Sequence, residues 1–143
     1  MKHIKKFNES NTPPFLLIHE TVRKKLLEDS TDFTEKYYKD ITNIVKEIFD
    51  RARIWKTPYS EDNIEEIYIN TLRVHSNYAW DIYLNIIDDY WIIASIRPIL
   101  NSVHTGVIGL SSEIIHFKCD DLEGLEILLR YIKSGWLETY TNN

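Results

Sequence analysis

The sequence predicts an α+β fold: two or three N-terminal or flanking helices packed on a three- to four-stranded antiparallel sheet, in the order α-α-β-β-β-β-α. A chain of 143 residues, 43% apolar and 27% charged, has the size and balance of one globular domain, residues 1–143. Apolar residues recur with a helical period in the first third of the chain and again after Asp120. Between Ile64 and Cys119 the period falls to two, and β-branched and aromatic residues become dense.

Residues 1–12 lack an apolar period and carry Lys2, Lys5 and Lys6, which reads as a flexible basic arm. Thr12 and Pro13 then suit the N-cap and first turn of a helix running to about Glu28, with Phe15, Ile18, Val22 and Leu26 on its apolar side. Arg23, Lys24 and Lys25 would complement its C-terminal dipole. After Asp29-Ser30-Thr31, the pair Asp32 and Glu35 resembles a capping box, with Ser30 or Thr31 as the alternative cap. A second helix is expected from there to Trp55, along the core-facing stripe Phe33, Tyr37, Ile41, Ile44, Val45, Ile48, Phe49, Ala52 and Trp55. Thr57-Pro58 would end it.

Three strands follow, at about Ile64 to His75, Trp80 to Ile87 and Tyr90 to Arg97, the last closed by Pro98. Asp88-Asp89 is expected as the hairpin turn. A two-residue turn sets Ile86 opposite Trp91 and Leu84 opposite Ile93, so Trp80, Ile82, Leu84, Ile86, Trp91 and Ile93 would share a face covered by helix. The other face would carry Tyr83, Asn85, Ile87, Tyr90, Ile92, Ala94 and Ile96. A longer loop would exchange the faces, since Asp-Asp lacks the glycine that two-residue turns favour. Residues 99–113, with Gly106 and Gly109, read as a turn-rich connection. A fourth strand runs from Glu113 to Cys119, and a last helix starts at Asp120 with Glu123 three residues on. That helix is carried by Leu122, Leu125, Leu128, Leu129 and Ile132 and stops at Ser134-Gly135.

The single cysteine, Cys119, excludes an intrachain disulfide and reads as a small core residue. No stretch reaches the roughly 18 apolar residues of a membrane span, and polar residues follow Met1-Lys2-His3-Ile4-Lys5-Lys6 where a secretory h-region would stand. A cytoplasmic protein without membrane association is the expectation. The net charge of −5 is uneven: residues 1–60 hold 12 Lys/Arg against 9 Asp/Glu, residues 61–143 hold 5 against 13. An acidic half disfavours phosphate backbones and suits a steered encounter with a basic partner. The cluster Arg51, Arg53, Trp55, Lys56 and Tyr59 has the chemistry of a single-strand binder, but the acidic balance argues against nucleic acid.

Five histidines have no metal-ligand spacing: His19-Glu20 lacks the second histidine of HExxH, and His75, His104 and His116 fall on separate elements. No cofactor and no metal is expected. His19-Glu20-Thr21 matches one half of the paired His-x-Thr/Ser signature of phosphoesterases, and no second histidine completes it. There is no GxSxG, Walker loop or GxGxxG, and Asp88-Asp89 and Asp120-Asp121 serve as turn and cap.

The expected function is therefore that of a small non-catalytic accessory protein, binding a protein partner or itself through the apolar sheet face of Tyr83, Ile87, Tyr90, Ile92 and Ile96. The start MKHIKKFNES, the small size and the absence of catalytic motifs resemble accessory proteins of tailed phages, including inhibitors of host systems. The alternative is a small-ligand or nucleotide binder, or a minor hydrolase, with a polar pocket of Arg73, His75, Arg97 and His104 at the strand ends.

Overall fold

A computed structural model describes residues 14–57, 64–72, 78–88, 91–101, 108–110 and 114–137. The element order is β1 (Phe15–Ile18), α1 (Glu20–Leu26), a 3-10 turn (Leu27–Asp29), β2 (Ser30–Thr31), α2 (Glu35–Ile48), β3 (Arg53–Thr57), β4 (Glu66–Asn70), β5 (Tyr78–Ile87), β6 (Trp91–Asn101), β7 (Ile108–Leu110), β8 (Ile115–Cys119) and α3 (Leu122–Lys133). All pairings are antiparallel along the path β1-β8-β6-β5-β4-β3, with β2 on β5 and β7 on β6.

The fold therefore corrects the expected α-α-β-β-β-β-α order with three or four strands. The chain enters as a strand, and the sheet is twice as wide. The four apolar residues Phe15 to Ile18 satisfy a helical stripe and an extended run equally well. Pairing with the free edge of β8, Phe15 opposite Cys119 and Ile18 opposite His116, decides for strand. The helix resumes only at Glu20, behind His19, whose Nδ1 accepts from the Thr21 amide. Helix α2 starts at Thr34, whose side chain caps the Tyr37 amide, and stops at Ile48 rather than at Trp55. Beyond it, Arg53 to Thr57 are extended against β4, where the pairing of Ile54 with Ile69 offers more than another helical turn would.

The hairpin register is corrected by one residue. Ile87 pairs with Trp91, leaving a three-residue loop entered through Asp88 with φ 52°, a left-handed conformation that aspartate tolerates. Ile86 consequently faces Ile92, Leu84 faces Ala94 and Ile82 faces Ile96. The slip transfers Trp91 and Ile93 to the opposite side and brings Ile92, Ala94 and Ile96 under the helices. Pro98 does not close β6. It lies between the end of the β8 pairing at Ile96 and the start of the β7 pairing at Ile99.

One face of the sheet, with Ile67, Ile69, Trp80, Ile82, Leu84, Ile92, Ile96, Phe117 and Cys119, forms the core against Ile41, Val45 and Ile48 of α2 and Leu125, Leu128, Leu129 and Ile132 of α3. Asp121 caps α3 by accepting from the Gly124 amide at 2.8 Å. Gly124 lies where the Pro14 carbonyl oxygen meets α3, so close that a Cβ there would sit 2.5 Å from that oxygen. The other face is divided. Toward the hairpin end, Leu27 of the 3-10 turn seals Ile87 and Ile93, with Ile18, Leu26, Ile64 and Trp91 packed against them, while the rest of that face mixes aromatic and polar side chains.

Candidate functional site

Alternation along β4, β5, β6 and β8 sends every second side chain away from the helices. The register then lines up Trp55, Tyr68, Tyr83, Ser95 and His116 in one row across five strands. The row begins aromatic, with ring centroids 4.7 Å apart for Trp55 and Tyr68 and 5.1 Å for Tyr68 and Tyr83. It ends polar, with His116 Nδ1 2.8 Å from Ser95 Oγ.

Helix α1 crosses over this polar end. Glu20 and Arg23 are three residues apart and so lie on one side of the helix, toward the sheet. Arg23 Nε donates to Ser95 Oγ at 3.1 Å, Arg23 Nη1 donates to Glu20 Oε1 at 3.1 Å, and Glu20 Oε2 lies 2.5 Å from His116 Nε2. The four side chains close a ring in which each satisfies two neighbours. Burial pulls the His116 pKa below its ordinary value, with Glu20 opposing the shift. The neutral ring then donates Nε2–H to Glu20 and accepts the Ser95 hydroxyl proton at Nδ1. Ser, His and Glu so arranged superficially resemble a catalytic triad. But Ser95 Oγ already accepts from a guanidinium, and Ser95 sits mid-strand between β5 and β8, where the backbone amides serve the sheet rather than an oxyanion. The ring holds α1 in place.

Beside it opens a cavity of ≈ 480 Å³, one wall being the ring itself and the rest Glu66, Tyr83, Arg97 and Ile114. A second polar group flanks it: the Tyr68 hydroxyl donates to Asp81 Oδ1, which also accepts from Asn70 Nδ2 at 3.2 Å. Burial and this bond to Asp81 push the Tyr68 pKa up to about 12. Asp81 Oδ2 lies 3.5 Å from Arg97 Nη2, a long contact. Among the described residues, buried Arg97 Nε has no hydrogen-bond partner, and Asn85 Oδ1, on the same face, is in the same condition. Burial raises the pKa of Glu66, whose one described partner is the Asn85 amide at 3.4 Å. Among the described residues, no group of three or more His, Cys, Asp or Glu is placed to hold a metal ion. No described helix is long and apolar enough to cross a membrane.

The structure disperses the residues singled out from sequence. Ile92 and Ile96 are 0% exposed in the helix-covered core, and Ile87, at 1%, lies under the 3-10 turn. Tyr83 is half-buried on the cleft wall, and Tyr90 lies outside the described residues. Of the polar set, Arg97 lines the cleft, while Arg73, His75 and His104 lie outside the described residues. Cys119 is fully buried in the core, which holds its thiol protonated. Trp55, expected to turn toward the core, is 46% exposed. Sequence reasoning missed Glu20, Arg23, Ser95 and His116. The spacing of Glu20 and Arg23 was the one signal within reach. Comparisons with protein-family models, curated proteins and solved structures return no match.

Proposed function

We propose that the protein binds a small polar ligand bearing an anionic group, in the cleft between α1 and the sheet. The observation that carries this reading is Arg97: a guanidinium on the cavity wall whose buried Nε–H has no acceptor among the described residues. A buried donor left unmade costs about 1–3 kcal/mol, and a carboxylate or phosphate oxygen in the cavity would remove that cost with a charge-assisted bond. The cavity volume falls within the range of small-molecule sites. Isothermal titration with acetate and inorganic phosphate tests it: wild type binds at least one of them and Arg97→Gln does not. Equal heats from both proteins would overturn the reading.

Association of two copies is a second reading, supported by a different observation. Strand β1 is the outermost strand on its side of the described sheet, and Leu16 and Leu17 are 49% and 61% exposed on its two faces. Its residues Phe15 to Ile18 carry no charge, whereas β3 at the opposite edge is guarded by exposed Arg53 and Lys56. Antiparallel pairing of β1 with a second copy of β1 would bring two acidic chains together at an uncharged seam.

A further inference from the structure

We infer that the occupant of the cleft is a dipolar ion, an amino acid or a peptide-like molecule, whose carboxylate lies on Arg97 and whose ammonium lies on Glu66. This rests on the cleft being a ligand site, as proposed above, and follows from which lining groups are left unsatisfied. The ring of Glu20, Arg23, Ser95 and His116 uses its charges internally. What remains is Arg97 as a cation and Glu66 as an anion that feels Arg23 only through space, with no hydrogen bond to it among the described residues. Among the described residues Arg97 Nε has no partner, while the rest of the guanidinium is shared between Tyr83 and a 3.5 Å contact from Nη2 to Asp81, a carboxylate already engaged by Tyr68 and Asn70. Glu66 has one 3.4 Å bond from Asn85, and the carbonyl oxygen of Asn85, a residue 1% exposed, accepts nothing.

The register puts these needs at opposite ends. Arg97 pairs with Asp81, and Glu66 accepts from the side chain of Asn85, with Tyr83 midway between Asp81 and Asn85 on β5. Four residues of strand separate the two rows, about 13 Å of backbone at about 3.3 Å per residue, and the side chains reach inward from both. One end therefore offers unmade donors and the other unmade acceptors. A simple anion would satisfy Arg97 but leave Glu66 as it is, with a like charge in the same cavity. A simple cation would meet the converse difficulty. A molecule with an ammonium and a carboxylate at its two ends answers both, and Ile114 supplies an apolar wall for the carbons between them.

The experiment is a titration of the full chain with ω-amino acids of two to six carbons, each compared with the carboxylate and the amine of the same carbon skeleton. At least one ω-amino acid is expected to bind about tenfold or more tighter than either of its single-charge counterparts. Glu66→Gln should level it with the carboxylate, and Arg97→Gln should abolish its binding. If the carboxylates or inorganic phosphate bind as tightly as any amino acid and Glu66→Gln changes nothing, the dipolar assignment fails while the anion site stands. If none of the probes binds the wild type, both readings fall. The wild-type comparison needs no variant, so a variant that fails to fold does not shield the inference.

Discussion

His116 and Ser95 face each other on adjacent strands with Nδ1 and Oγ 2.8 Å apart, and burial of the imidazole favours its neutral form. Because burial lowers the folded-state pKa of His116, acid favours the unfolded chain first. Stability is full above the ordinary histidine pKa of about 6.5 and is lost as pH falls from there toward the depressed folded value, where the loss levels off. Glu66 acts in the opposite sense: its raised pKa means the folded chain takes up a proton first, adding stability as pH falls toward the ordinary carboxylate range. Melting temperatures between pH 7.5 and 5 in wild type, His116→Gln and Glu66→Gln separate the two. The histidine variant loses the acid-side decline and the glutamate variant steepens it.

Gly124→Ala sets helix propensity against a steric limit. Alanine is worth up to about 1 kcal/mol in a helix, but its Cβ would lie 2.5 Å from a backbone oxygen that moves only with β1. The clash wins, with a destabilisation of about 1–3 kcal/mol read from urea denaturation.

At the start of the same helix, Asp121→Ala removes the acceptor for the Gly124 amide and costs about 1 kcal/mol. Asp121→Asn retains an acceptor at this position and recovers most of that loss.

Ile48 is 1% exposed between α2 and the sheet, and Ile48→Ala is expected to cost about 2–5 kcal/mol. Lys39, exposed on α2, is the control, and Lys39→Ala changes stability by no more than about 0.5 kcal/mol.

If β1 pairs with its counterpart in a second copy, Leu17→Lys places a charge at the seam. Light scattering then reports a dimer for wild type and a monomer of unchanged melting temperature for the variant. A monomeric wild type at high concentration removes this reading.

Helix α3 and strand β5 were legible because each carries its signal locally: a D-x-x-E start with a leucine stripe, and alternation over ten residues. Strands β1 and β3 were not, because four or five residues flanking a helical stripe fit either period, and their strand character comes from partners distant in sequence. The hairpin register turned on a single loop residue that Asp88-Asp89 does not specify. The same non-locality hid the cleft. Arg97 was visible as a polar residue near a strand end, but Ser95 meets His116 only once β6 and β8 are adjacent, and Glu20 meets His116 only once α1 lies over the sheet.

Helix α1 buries none of its residues and is fastened over the sheet by the polar ring of Glu20 and Arg23. Segments held this way come loose by local opening, at a free energy well below that of global unfolding. The amide protons of Glu20 to Leu26 would therefore exchange with solvent while those of α2 and β5 stay protected. The cleft wall that α1 supplies would share this opening, so exchange at Glu20 and Arg23 would report how long that wall stays in place.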